Sequence, residues 1–281
     1  GMCKTDRENY EKYWDDINPF IKFGCIKDAK FSEKMMDYVL YKNIDDKYLT
    51  LEDCVKENQK PEEKAEEEKP AEDAQEKKEE SEKEKVTIYY VTDPVQQSQY
   101  INMFRSQKMD AVILRHNIDT AFITHVERVK ENVKFQRIDA DLTEDLKEDG
   151  ADLEEEKKAL ESLFRKALNN EKLEVRVENL KDEKVSAMVT LSEESRRMEE
   201  MMKMYGMGGM DASAFGGQQT LVLNAKHPLV QYIYSHQDGE KVTMFCKQLY
   251  DLAMISHKPL SPEEMTAFIA RSNEIMMELT K

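Results

Sequence analysis

Three short apolar runs decide the fold of this chain: VTIYYVT at 86–92, AVILR at 111–115 and VKFQRID at 133–139. They are rich in β-branched and aromatic residues, as β-strands are. The segments between them, 94–107 and 118–132, indicate helices. An alternating β-α-β-α-β series with short connections predicts a small parallel sheet with covering helices. This small α/β subdomain is predicted to span 86–140.

The residues before this subdomain, 1–58, are predicted to form a helical segment. Tyr10, Tyr13, Trp14 and Ile17 have the spacing of one helix face, and Asn18-Pro19 then predicts that this helix ends or bends. Thr50 opens a short capped helix.

An acidic stretch separates these two parts. Residues 60–85 hold 12 Asp or Glu and 7 Lys, with no aromatic or branched aliphatic side chain. Such a composition cannot offset the entropy cost of ordering. We therefore expect a solvated, disordered insertion at 59–85, with an acidic binding tail as the alternative.

The second half, 141–281, predicts a mixed α+β domain. It contains a helix at 153–168, strands at 173–179 and 184–191, a methionine-rich helix, a strand at 220–224 and further helices up to the end. The whole chain is therefore expected to combine α/β and α+β architecture.

Two amphipathic helices close the chain as a hairpin, and the second opens with the capping sequence Ser261-Pro262-Glu263-Glu264. Their apolar stripes either pack onto their own domain or form a four-helix bundle with a second copy. The candidate dimerisation residues are Phe245, Leu249, Met265, Phe268, Ile269, Met276 and Leu279.

Composition excludes several classes of function. A net charge of −16 opposes binding to nucleic acid, which needs clustered Lys and Arg. No run is long and apolar enough to span a membrane, and no signal peptide is recognisable, so we expect a cytoplasmic protein.

The four Cys and five His are scattered, which argues against a disulfide scaffold or a metal site. The turn Thr92-Asp93-Pro94 lacks the glycines of a phosphate-binding loop.

Six of the 17 methionines lie between Met198 and Met210, where a charged helix meets a glycine-rich segment. Methionine adapts to irregular apolar surfaces, so the cluster is either an adaptable binding surface or ordinary core. On a helical wheel Met198, Met201, Met202 and Tyr205 share one face, whereas Met204 lies off it and Met207 nearly opposite. The spread favours a partly exposed surface.

Several sequence phrases, taken in order, resemble the ninety-kilodalton heat-shock chaperone family, most closely its bacterial branch. They are NYEKYWDDINPFIKFGCIKD at 9–28, YLTLEDCVKENQK at 48–60, TIYYVTD at 87–93 and LNAKHPLV at 223–230. The likeness spans nearly the whole chain apart from 60–85. It implies the end of the family's middle domain followed by the C-terminal dimerisation domain.

The resemblance also implies which functions this chain lacks. In the family, ATP binds to an N-terminal domain, and the arginine that reaches the γ-phosphate lies in the larger part of the middle domain. Neither region is recognisable here, so ATP and Mg²⁺ are expected only in the intact protein, and this chain is not expected to be an enzyme. No Gly-x-x-x-x-Gly-Lys loop contradicts this expectation.

The family's client-contact helix corresponds to 193–205 of this sequence. The resemblance therefore assigns client contacts to Met201, Met202, Met204 and Tyr205, with Met207 next to them and Met198 on the anchored side. A second contact falls near Ala121, which replaces a larger aromatic residue, so Phe122 would have to substitute. The expected partners are a second copy of the chain and non-native client proteins. The alternative is a dimeric scaffold or adaptor for one defined protein.

Overall fold

The computed structural model describes residues 2–59, 85–142, 144–148, 152–206, 219–239 and 241–280. They form two compact units, Gly1–Asp93 with Lys108–Ile138 and Pro94–Gln107 with Asp139–Lys281. The predicted insertion lies almost wholly outside the described residues. The mixed α/β and α+β class is confirmed. The predicted domain limits stay predictions, and the segment at 94–107 groups with the second unit.

The helices are α1 (Met2–Thr5), α2 (Arg7–Lys27), α3 (Ala29–Met35), α4 (Leu51–Asn58), α5 (Ser98–Ser106), α6 (Ile118–Val129), α7 (Glu154–Leu168), α8 (Glu193–Met204), α9 (Pro228–Ser235), α10 (Val242–Ile255) and α11 (Pro262–Glu278). The strands are β1 (Tyr41–Lys42), β2 (Tyr48–Leu49), β3 (Val86–Val91), β4 (Val112–Ile113), β5 (Val133–Arg137), β6 (Glu174–Glu178), β7 (Ala187–Thr190) and β8 (Thr220–Asn224). Single 3₁₀ turns lie at Met36–Tyr38 and Glu144–Leu146.

The first unit is built on a three-stranded sheet in the order β4-β3-β5. Both pairings are parallel, with Tyr90 opposite Val112 and Ile88 opposite Phe135. The parallel sheet predicted from the three apolar runs is therefore confirmed. Ile88, Tyr90 and Phe135 belong to one core with Trp14 of α2.

Helix α2 continues through Pro19 to Lys27 and does not end there. Proline has no N–H, so the carbonyl of Asp15 loses its usual helical donor. The side-chain amide of Asn18 replaces it, because Nδ2 donates to the carbonyls of Asp15, at 3.1 Å, and Trp14, at 3.2 Å. A local side-chain hydrogen bond thus compensates for the missing backbone bond.

Residues 1–58 also contain two short strands beside their helices, since β1 and β2 form an antiparallel pair. Asn43 shapes the turn between them: its Oδ1 accepts hydrogen bonds from the amides of Asp45 and Lys47, at 3.0 and 2.9 Å. Asp46 adopts a positive φ of 61°, which Asp tolerates better than most residues. Two-residue strands leave too little alternation for a sequence pattern to detect.

A buried Ser–His pair joins α3 to α6, but it is not a catalytic pair. Ser32 Oγ lies 2.7 Å from His125 Nε2, and the guanidinium of Arg128 donates to His125 Nδ1 at 2.9 Å. Because Nδ1 accepts, the ring proton is on Nε2 and is donated to the serine oxygen. The histidine therefore cannot act as a base toward Ser32.

This pair makes the stability of the protein dependent on pH. Burial, and next the guanidinium of Arg128, lower the pKa of His125 below its ordinary 6.5. The unfolded chain therefore binds a proton at a pH where the folded chain does not, and stability falls as pH drops below 6.5.

We expect His125→Gln, which can still donate to Ser32 but does not titrate, to lose less stability than the wild type between about pH 7.5 and about pH 5.5. Urea unfolding at the two pH values measures this. Equal losses in both proteins would contradict the assignment.

The second unit contains a mixed sheet in the order β6-β8-β7, in which β8 is parallel to β6 and antiparallel to β7. Asn224, at the end of β8, is fully buried and joins the loops around it. Its Nδ2 donates to the carbonyl of Val185 at 2.8 Å, and its Oδ1 accepts from the amide of Leu180 at 3.2 Å. This explains a polar residue at the end of an otherwise apolar strand.

All four cysteines are free. Within the described ranges, no helix is long and apolar enough to cross a membrane.

Candidate functional site

Helix α8 opens the candidate site with a serine cap. The Oγ of Ser192 accepts a hydrogen bond from the amide of Ser195 at 3.3 Å. Glu193 and Glu194 occupy the first turn, where their negative charges interact favourably with the positive end of the helix dipole. Glu193 also accepts from Arg197 one turn later, at 2.8 Å. These local interactions fix where the helix begins.

A buried arginine attaches α8 to the rest of its unit. Arg196 is 4% exposed, and its Nη2 lies 3.1 Å from Asp139 Oδ2 and 3.1 Å from His257 Nδ1. Asp139 follows β5 along the chain, and His257 follows α10. Three distant segments therefore meet at one guanidinium.

His257 is the third member of this cluster. Its Nδ1 also lies 3.4 Å from Asp139 Oδ2, and its Nε2 lies 3.4 Å from Nε2 of Gln219. Glu199, on α8 itself, adds a second carboxylate at 3.6 Å from Arg196 Nη1. Removing one member of such a buried charge cluster lowers the stability of the fold, because it leaves the opposite charge buried without a counter-charge.

The opposite face of α8 is apolar and faces solvent. Met201 is 56% exposed and Tyr205, just beyond the last helical residue, is 74% exposed. Met198 is 40% exposed, so the expectation that it forms the anchored side is wrong; the anchor is Arg196. Residues at i, i+3 and i+7 share one helix face, which here is the exposed one. A surface helix usually turns its apolar face to the core and its charged face to solvent. In α8 this orientation is inverted.

The other methionines of the cluster are not shown to be exposed. Met202 is half-buried at the edge of this face. Nothing is described for the side chain of Met204, and Met207 lies outside the described residues. Their assignment as client contacts stays a prediction.

Phe122 does not offer the second apolar contact that the resemblance implied. Its side chain is completely buried in the core of the first unit, and the ammonium of Lys22 lies 5.6 Å from its ring centre. Its neighbour Ala121 is exposed but is a single methyl group. The sequence could not reveal this, because either residue of the pair could have faced the core.

Helices α10 and α11 form the predicted terminal hairpin. Asp251 accepts two hydrogen bonds from the guanidinium of Arg271, at 2.9 and 2.7 Å, and Gln248 donates to Ser272 at 3.0 Å. The capping box of α11 is present, with Ser261 and Glu264 exchanging side-chain and backbone hydrogen bonds.

The two helices differ in how they are covered. Leu249 of α10 is 2% exposed and belongs to the core of its own unit, so its predicted place in a dimer contact is wrong. Phe245 is half-buried and packs edge-on against Tyr232 of α9, with ring centres 5.5 Å apart.

In contrast, α11 has no buried residue at all. Phe268 is half-buried, whereas the other candidate dimerisation residues of α11 and its C-cap are exposed: Met265 (39%), Ile269 (52%), Met276 (56%) and Leu279 (84%).

No group of three or more potential metal ligands is found among the residues that the structure describes. The candidate site consists of two exposed apolar surfaces, one on α8 and one on α11. Such surfaces are suited to contacts with other polypeptides.

The chain matches the family model described as "Hsp90 protein" over residues 2–280. It is 29% identical over 256 residues to "Chaperone protein htpG" of Bacteroides fragilis (strain YCH46), an alignment that covers 85% of this chain and 34% of the relative. It is 23% identical over 295 residues to "Chaperone protein HtpG" of Pseudoalteromonas translucida (strain TAC 125), covering 100% of this chain and 42% of the relative. The chain thus spans well under half the length of these relatives.

Proposed function

Because the chain belongs to the Hsp90 family of molecular chaperones, we propose that it presents the apolar face of α8 to non-native client proteins and forms a homodimer through α11. The inverted orientation of α8 carries this proposal. A buried charge cluster holds one face of the helix, and the methionine and tyrosine side chains point away from it.

Energetics support a binding role for this face. Burying a methionine contributes about 1.5–3 kcal/mol, and Met198 and Met201 forgo much of that contribution in the single chain. A flexible, polarizable side chain recovers it against apolar surfaces of many shapes. Non-native polypeptides expose such surfaces, and they differ from one client to the next.

The uncovered helix α11 supports the dimer. Its exposed apolar residues form one stripe, and a second copy would cover it with a self-complementary contact. The ion pair between Arg271 and Asp251, 2.7 Å long, holds α11 to α10 within each chain. The hairpin can therefore dock as a preformed unit.

The ATPase activity belongs, in this proposal, to the intact protein. The resemblance to the family assigns ATP binding to an N-terminal domain and the arginine that reaches the γ-phosphate to the larger part of the middle domain. We also propose that the intact protein acts in the cytoplasm.

The proposal is tested by the double variant Met201→Ser with Tyr205→Ser. Both side chains are more than half exposed, so the fold should survive. We expect the concentration needed to suppress aggregation of a heat-denatured client to rise at least about fivefold, because the apolar contact is lost. Light scattering of the client measures this.

The matched control is Val129→Ser, which removes an apolar side chain that is 48% exposed on α6. It should suppress aggregation like the wild type. If the double variant is folded and dimeric yet suppresses aggregation fully, this face is not the client surface.

A further inference from the structure

A cavity of about 240 Å³ lies within the first unit, between the middle of α2 and the loop that joins β4 to α6. It has no part in the surfaces described above. Its inner wall includes Asn18 and the buried pair Lys22 and Asp119, and its wall also includes Lys42 and Arg115. Its volume is below the roughly 300–1,000 Å³ of pockets for drug-sized ligands, so only a small molecule fits.

The ion pair at the inner wall is fixed by the fold. Lys22 Nζ lies 2.5 Å from Asp119 Oδ1, and both side chains are 4% exposed. Asp119 Oδ2 accepts from the amide of His116 at 2.9 Å. Both carboxylate oxygens of Asp119 thus have a hydrogen-bond partner. The ammonium group of Lys22 has three N–H donors, of which only one is used by Asp119. Lys22 can therefore still donate to a ligand.

Asn18 adds a buried acceptor without a donor. Its side chain is 4% exposed, its Nδ2 donates to two carbonyls of α2, and its Oδ1 has no hydrogen-bond partner. A buried carbonyl oxygen left unpaired is unfavourable, and native structures rarely keep one without a reason. A ligand hydroxyl or amine would satisfy it.

Positive charge predominates at the outer part of the cavity, where Lys42 and Arg115 line the wall together with one carboxylate, that of Asp15. Arg115 and His116 are exposed, and Arg115 forms no ion pair within the described part of the chain. Lys42 has only long contacts to carboxylates, at 4.0 Å from Asp15 and 3.6 Å from Asp46. A free guanidinium beside an ammonium group suits a phosphate or carboxylate.

We propose that this cavity binds a small hydroxylated organic anion. Its anionic group would contact Arg115 and Lys42, and a hydroxyl group would donate to Asn18 Oδ1 while accepting from Lys22. The arrangement distinguishes such a ligand from a simple inorganic anion, because sulfate at neutral pH has no proton to donate to Asn18.

Titration calorimetry of the whole chain tests the proposal with glycerol 3-phosphate, glycerate and sulfate as probes. We expect saturable binding of at least one hydroxylated probe, at least about tenfold tighter than sulfate. Arg115→Ala, at an exposed position, should weaken that binding at least about fivefold. Lys134→Ala, which removes an exposed cation on β5, should leave it unchanged.

Asn18→Ala should abolish the preference for the hydroxylated probe over sulfate. If this variant does not fold, the comparison of probes on the wild type and on Arg115→Ala decides alone. Equal binding of sulfate and both hydroxylated probes, no binding of any probe, or an Arg115→Ala variant that binds like the wild type would each overturn the proposal.

Discussion

Replacing Ile269 and Met276 with aspartate is expected to separate the proposed dimer into single chains. Both side chains are more than half exposed on a helix with no buried residue. In the dimer each substitution would remove about 1.5–3 kcal/mol of apolar burial and place a carboxylate in an apolar contact. Together they should raise the dissociation constant at least about 100-fold. Sedimentation velocity at micromolar concentration measures the mass.

The matched control for this prediction is Ala267→Asp. Ala267 is exposed and lies two residues before Ile269, which places it on the opposite side of α11. It adds one negative charge to the same helix without entering the apolar stripe. A double variant that keeps the wild-type dimer mass would exclude α11 as the dimer contact.

The second large effect is expected for Arg196→Ala. The substitution leaves Asp139, which is 0% exposed, without the guanidinium that compensates its charge. Breaking a buried pair from one side costs roughly 3–5 kcal/mol. The loss should fall on α8, because Arg196 is its only buried residue among those described. Hydrogen exchange of the α8 amides, together with urea unfolding, measures it.

Arg197→Ala provides the comparison on the same helix. Arg197 pairs with Glu193 over one turn at 2.8 Å, and both side chains are 19% exposed. Loss of this ion pair should lower the free energy of unfolding by about 1 kcal/mol or less, as for other ion pairs near the surface. Equal destabilisation by the two variants would show that the cluster at Arg196 does not anchor the helix.

The elements of this fold were largely predictable because their signals are local. The strands of the parallel sheet are short apolar runs, and the caps at Thr50 and Ser261 depend on residues three positions apart. The exceptions depend on single side-chain contacts. Asn18 carries α2 past Pro19, and Asn43 makes a turn between strands too short to recognise.

The candidate site was less predictable, because a helical wheel shows which residues share a face but not which face is buried. The wheel places Met198, Met201 and Tyr205 on one face, but the prediction that Met198 lies on the anchored side is wrong. The true anchor is a charged residue whose partners, Asp139 and His257, lie 57 and 61 residues away in the sequence. Arginine is among the least hydrophobic residues, so its sequence position alone predicts an exposed side chain. Arg196 is buried because the carboxylate of Asp139 and the imidazole of His257 are its partners.

Site-specific photocrosslinking shows whether the exposed face of α8 binds non-native clients. A benzophenone amino acid replaces Met201 on the exposed face of α8, and in a second protein it replaces Val129 as the control. We expect the probe at position 201 to crosslink to several unrelated denatured polypeptides but not to their folded forms, and the probe at position 129 to do neither. Saturable crosslinking from position 201 to one folded partner alone would contradict client binding by α8 and would identify an adaptor instead.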